Sequence, residues 1–243
     1  MKQLFEDFVD DLRQTHGENL RSVILYGSAA AGDFISHESD YNILIVLDCI
    51  TPEDLRKSHP TVREWNKTGN PVPVYFSAEE IANAGDVFPI EFHFMESARK
   101  VLYGEDVFEN VKISDRYLRH QTEFELRSKL LRLRRKYIHA STNPERLAEM
   151  MAGSLTSFAA VFRAVLILLG KLPPIKKRDI VEETVSELGL RKDPFDKIFR
   201  IRETNYEGSL GEHETNEIFA DYIRQIEAVI AAVDGLDKFR DEN

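Results

Sequence analysis

Leu25-Tyr26-Gly27-Ser28 and, after eleven intervening residues, Asp40-Tyr41-Asn42-Ile43-Leu44-Ile45-Val46-Leu47 together decide how this chain folds. Residues 23–26 form a short apolar run ending in Gly-Ser, where a strand hands over to a tight turn and a helix start. Backbone N–H groups in such a turn suit a phosphate. Asp40 and Asn42 are two apart at the head of the next apolar run, so on a strand their side chains share a face. Two adjacent oxygen donors are what a Mg²⁺ ion holding a triphosphate needs.

This arrangement resembles the DNA polymerase β-like nucleotidyltransferase superfamily in its minimal, aminoglycoside-type form. The family pattern is Gly-Ser, a short variable gap, then Asp-x-Asp or Asp-x-Glu before an apolar strand. The resemblance covers residues 20–110. It implies that a nucleoside monophosphate is transferred from a nucleoside triphosphate to a hydroxyl of a small-molecule or protein acceptor. It also implies that Gly27 and Ser28 hold the phosphates, and that Asp40, the residue at position 42 and a third acid on a later strand hold Mg²⁺. Asn42 stands where the second acid is expected. An amide oxygen is a weak, neutral ligand, and a missing unit charge at about 4 Å forfeits roughly 4 kcal/mol at an effective dielectric near 20. The turn Gly27-Ser28-Ala29-Ala30-Ala31-Gly32 also has small residues where many relatives carry an arginine, so a phosphate-binding cation has to come from elsewhere.

The third acid is expected at Glu91, in Pro89-Ile90-Glu91-Phe92-His93-Phe94-Met95. Read as a strand, alternation puts Glu91 and His93 on one face and Ile90, Phe92 and Phe94 on the other. His93 reads as a hydrogen-bonded neighbour, and Arg99 and Lys100, just after the strand, as phosphate contacts or, more simply, as charges flanking the strand end.

At 243 residues the chain has room for two domains, and 42% hydrophobic with 30% charged residues describes an ordinary globular composition. The net charge of -10 repels nucleic acid and anionic membranes, which favours a small substrate over a polymer. One cysteine, Cys49, excludes an internal disulfide framework and suits a reducing, cytoplasmic compartment. The first residues lack the apolar core of a signal peptide, and the longest apolar segment, residues 158–169, is interrupted by Arg163. No membrane segment is expected.

The fold class expected is α+β. Residues 1–112 form a nucleotidyltransferase-like domain, a small mixed β-sheet with helices packed on it, and residues 113–243 form an all-α helical bundle. An amphipathic helix opens the chain, Thr51-Pro52-Glu53-Asp54 and Ser77-Ala78-Glu79-Glu80 start two more, and Pro60 is expected to interrupt the first of these two or restart it near Trp65. A further strand is read at residues 72–76, and strands again at 89–95 and 98–103. Beyond Ser114, read as a helix cap, the apolar period is three to four throughout. Leu126, Leu130, Leu133 and Tyr137 form one stripe of a long helix, and Asn143-Pro144 begins the next. Residues 127–136 carry six basic side chains, which suit either a polyphosphate in a cleft or a solvated face paired with Glu123, Glu125 and acids of neighbouring helices.

Two functions stay open: an active nucleotidyltransferase, or a catalytically impaired nucleotide-binding or regulatory module of the same fold, either of which leaves room for a homo-oligomer.

Overall fold

A computed structural model of the chain describes residues 2–27, 29–30, 41–109, 111–113, 115–204 and 210–236. Ser28, Asp40 and Ser114 lie outside the described residues. The chain divides into two compact units, residues 1–117 and 118–243.

The first unit is built on a four-stranded sheet. Helix α1 (Lys2–His16) and a short 3-10 turn at Gly17–Asn19 lead into β1 (Leu20–Tyr26), then β2 (Asn42–Leu47), α2 (Pro52–Lys67), β3 (Val74–Ser77), α3 (Ala78–Asn83), α4 (Pro89–Ser97) and β4 (Arg99–Gly104). The sheet order is β3-β2-β1-β4, with β1 antiparallel to β2 and β4, and β2 parallel to β3. The mixed pairing has a physical origin in the connections: helix α2 crosses over between β2 and β3, as a parallel pair requires. Both faces of the sheet are covered. Phe8, Leu12 and Trp65 from α1 and α2 pack on Val23, Leu25, Ile43 and Ile45. Ile81, Phe92 and Met95 from α3 and α4 pack on Ile24, Tyr26, Leu44 and Val46. Two covered faces explain why β1 and β2 read as continuous apolar runs without alternation.

Two expectations require correction. Residues 89–95 are not a strand but the body of α4. Pro89 takes a first-turn position, where its missing N–H costs nothing, and the buried residues are Pro89, Phe92 and Met95, spaced by three. Phe92 fits among Phe76, Phe88 and Phe108 at centroid distances of 5.8, 6.3 and 5.6 Å, and that packing overrides the local alternation. Pro60 does not interrupt α2 either. It lies inside the helix at an exposed position, where it has no N–H to give the carbonyl one turn back. The two helix starts carry full capping boxes, Thr51 with Asp54 and Ser77 with Glu80.

The second unit is helical: α5 (Asp115–Ala140), α6 (Pro144–Leu168), α7 (Lys177–Glu187), α8 (Asp193–Glu203) and α9 (Glu212–Gly235). Leu126, Leu130 and Leu133 of α5 are buried in its core with Tyr137 packed against them. The chain as a whole is α+β, a small mixed sheet with helices followed by a helical unit. Helix α6 begins on the Asn143 cap, whose Oδ1 accepts the Arg146 N–H at 2.9 Å. Among the described residues it alone is long and apolar enough to cross a membrane by length and composition, at a mean hydropathy of 1.8. The 25-residue helix thus exceeds the apolar stretch read from sequence. Its Leu147, Met151, Leu155, Phe158, Phe162 and Leu166 are all buried in the core of the unit, so it reads as a core helix.

Candidate functional site

Gly27 ends β1 with a backbone φ of +82°, a region where side chains are disfavoured. Its carbonyl accepts the Ala30 N–H at 3.0 Å and closes the turn; its own N–H donates to the Ala98 carbonyl at 2.9 Å. That second bond ties the turn to the junction of α4 and β4. A Cβ on residue 27 would lie 3.1 Å from Phe94 Cζ and 3.5 Å from Asn42 Nδ2. The glycine is therefore required for its conformation and for clearance. Because its N–H is already used, anything it offers a phosphate is space for close approach and not a donor.

Asn42 is the first residue of β2 and sits opposite Tyr26, which on its other side faces Arg99. Directly opposed residues share a face of the sheet, so Asn42, Tyr26 and Arg99 form one row at the strand end on the α4 side. The preceding residue is pinned independently. The Tyr41 N–H donates to Asn70 Oδ1 at 3.1 Å, and the Tyr41 ring meets Phe5 edge-on at 5.0 Å. From α4, Phe94 stands edge-on to Tyr26 at 5.8 Å. The described parts of the expected site, Gly27, Asn42 and the helix bearing Glu91, thus meet at one end of the sheet.

The helical form of residues 89–97 changes the third acid. On a strand Glu91 and His93 share a face; on a helix they are about 200° apart. Glu91 is exposed, one turn before Phe94 on α4, whereas His93 is half-buried with Nδ1 3.9 Å from Glu96 Oε2. Arg99 is committed within the unit: Nε donates to both Asp106 oxygens at 2.9 and 3.0 Å, Nη1 donates to the Glu96 carbonyl at 2.8 Å, and the guanidinium lies 5.9 Å from the Phe108 centroid. Lys100, one residue on, is exposed. Burial holds the Tyr26 and Tyr41 phenols above their ordinary pKa, so both stay protonated through neutral pH and neither is a general base there.

A hard cation takes oxygen ligands, and the Asn42 amide and Glu91 carboxylate are oxygens of that kind. Among the described residues no group of three His, Cys, Asp or Glu is placed to hold a metal. Asp40 lies outside the described residues. In the basic stretch of α5, Arg127 donates to Glu123 at 2.7 Å, Lys129 lies 3.4 Å from Glu125, and Arg134 donates to Glu227 at 2.6 Å. Those three behave as a solvated face.

No protein-family model matches the chain, and no curated protein matches it. Among solved structures, the chain is similar to spectinomycin adenyltransferase AAD(9) from Enterococcus faecialis, solved with ATP and spectinomycin. The TM-score is 0.60 at 12% identity, over 94% of this chain and 98% of that one. The likeness is one of fold, and it runs through both units.

Proposed function

We propose that the first unit binds a nucleoside triphosphate where Gly27, Asn42 and α4 meet, and transfers the nucleoside monophosphate to a hydroxyl of a small molecule. The observation that carries this reading is the convergence of those three elements at one sheet end, in a fold shared along nearly its whole length with a nucleotidyltransferase. In the reaction the acceptor oxygen bonds to the α-phosphorus, the bond from that phosphorus to the bridging oxygen breaks, and pyrophosphate leaves. Glu91, exposed on α4, takes the hydroxyl proton. Ser28 and the glycine clearance at 27 receive the phosphates. Asp40, Asn42 and Glu91 are the positions for Mg²⁺, which when bound neutralises phosphate charge.

One observation favours a second reading. Asn42 presents a neutral amide where the family pattern has a carboxylate, which fits a module that keeps nucleotide binding and has lost transfer. Calorimetry with ATP, GTP, CTP and UTP, with and without Mg²⁺, separates the two when paired with a pyrophosphate-release assay over a panel of aminocyclitol and aminoglycoside acceptors. Release by the wild type that Asp40→Ala abolishes supports the enzyme. Binding without release, with release appearing in Asn42→Asp, supports the module. No nucleotide binding by either the wild type or Asn42→Asp overturns both.

A further inference from the structure

Helix α4 ends at Ser97 and β4 begins at Arg99, so one residue, Ala98, turns the chain from helix to strand. The last carbonyls of a helix lack partners within it, and no glycine follows α4 to close its end. Side chains and the neighbouring strand do so instead. The Ser97 hydroxyl donates to the Phe94 carbonyl at 3.0 Å, Arg99 Nη1 donates to the Glu96 carbonyl at 2.8 Å, and the Ala98 carbonyl accepts the Gly27 N–H at 2.9 Å. The last of these bonds holds the turn on which the proposed site is built.

Arg99 joins that junction to the loop beyond β4. Its Nε donates to both oxygens of Asp106, at 2.9 and 3.0 Å, and Asp106 Oδ1 also accepts the Phe108 N–H at 3.2 Å. Phe108 is buried and meets Phe92 of α4 edge-on at 5.6 Å. One guanidinium therefore ties the C-terminal turn of α4 to the loop whose ring that helix rests on. It also brings a cation to the negative end of the helix dipole, where α4 has no basic residue of its own. The two side chains are 22% and 32% exposed. Ion pairs open to water add little to the stability of a whole unit, but a planar fork adds direction. That direction bears on two groups of the site. One is the Ala98 carbonyl, adjacent to Arg99; the other is Phe94, two residues before Glu96, whose Cζ would lie 3.1 Å from a Cβ on residue 27.

We propose that Arg99, set by Asp106, is a positioning residue for the phosphate turn. It fixes the end of α4 so that the Ala98 carbonyl meets the Gly27 N–H and Phe94 stands clear of the glycine. The proposal rests on nucleotide binding at that turn and gives Arg99 no contact with the nucleotide. A direct phosphate contact by the same arginine predicts the opposite effect at Asp106: neutralising the carboxylate loosens a clamp, whereas it releases the charge of a phosphate ligand.

Arg99→Lys and Asp106→Asn are compared with the wild type by calorimetry with ATP, GTP, CTP and UTP in Mg²⁺, and by NMR amide exchange of Gly27 and of Ile45, buried in β2. Lysine keeps the charge without the fork, and asparagine keeps an oxygen for the Phe108 N–H without the charge. In both variants Gly27 is expected to exchange about tenfold faster with Ile45 unchanged, and the nucleotide that the wild type takes up to bind about tenfold more weakly. A pair that serves only stability would speed Ile45 to the same degree, and that result overturns the proposal. Tighter nucleotide binding by Asp106→Asn overturns it by making Arg99 a phosphate contact, and so does Gly27 protection that both variants retain. Absence of nucleotide binding by the wild type is a failure of the site reading instead, and Gly27 exchange in the two variants then still decides whether Arg99 holds the turn.

Discussion

Replacing Gly27 by alanine tests the site geometry directly, because two separable costs meet at that residue. The φ of +82° charges any side chain the left-handed penalty, about 1–2 kcal/mol. The new Cβ also lies 3.1 Å from Phe94 Cζ, so the ring has to yield from its edge-on contact with Tyr26, an overpacking cost of about 1 kcal/mol. Gly69 supplies the control: its φ is +87°, and a Cβ there meets nothing within 4 Å. Gly69→Ala is expected to lose about 1–2 kcal/mol and Gly27→Ala about 1 kcal/mol more. Urea unfolding followed through Trp65 reads both, since it is the chain's one tryptophan and is 2% exposed in the core of the first unit. With a slope of about 2 kcal/mol/M the two midpoints separate by about 0.5 M. Equal midpoints would refute the close approach of Phe94, and a neutral Gly27→Ala would refute the turn conformation itself.

At Gly104 the clash is with backbone. A Cβ would sit 1.9 Å from the Arg21 carbonyl oxygen, so Gly104→Ala is expected to part β4 from β1 and abolish the cooperative Trp65 transition. The buried His16 imidazole donates from Nε2 to Ser58 Oγ at 2.9 Å, because the Ser58 hydroxyl is spent on the Asp54 carbonyl at 3.0 Å. Its Nδ1 is buried without a hydrogen-bond partner, and burial outweighs the attraction of Asp54 to hold its pKa below the free value of 6.5. The unfolded chain therefore binds the proton more readily, and stability is lost as pH falls below 6.5 toward the folded value, then levels off. Urea midpoints of wild type and His16→Gln, compared on both sides of that pH, should converge on acidification; parallel curves would count against the assignment. In the second unit, the buried Tyr222 hydroxyl meets Ser154 Oγ at 3.1 Å while that serine donates to the Met151 carbonyl at 2.8 Å. Tyr222→Phe removes the donor to Ser154 Oγ without stranding a donor, since that serine still donates to the Met151 carbonyl, and calorimetric unfolding should register a loss of about 1 kcal/mol.

Much of the fold was legible because local and global signals agreed. The Thr51 and Ser77 boxes mark helix starts through chemistry confined to four residues, and the change of apolar period after residue 114 marks the helical half. The α4 segment misled because Ile-Glu-Phe-His-Phe alternates over so few residues that two periods fit, and what decides between them is Phe76 and Phe108, distant in sequence. Pro89 was the available local signal for a helix start. At the site, Gly27 was readable as a turn glycine, but the use of its N–H by Ala98 depends on where α4 ends.

Helix α6 has a consequence for synthesis. It packs against α7, α8 and α9, all of which follow it in the chain. From Leu168 to the last buried residue of α9, Val233, another 65 residues must be made before its apolar surface is fully enclosed. At roughly 5–20 residues per second that interval lasts about 3–13 s. For that time the nascent protein displays a helix apolar enough for a bilayer, and the order of elements along the gene product, not the strength of the finished core, sets how long it depends on being shielded.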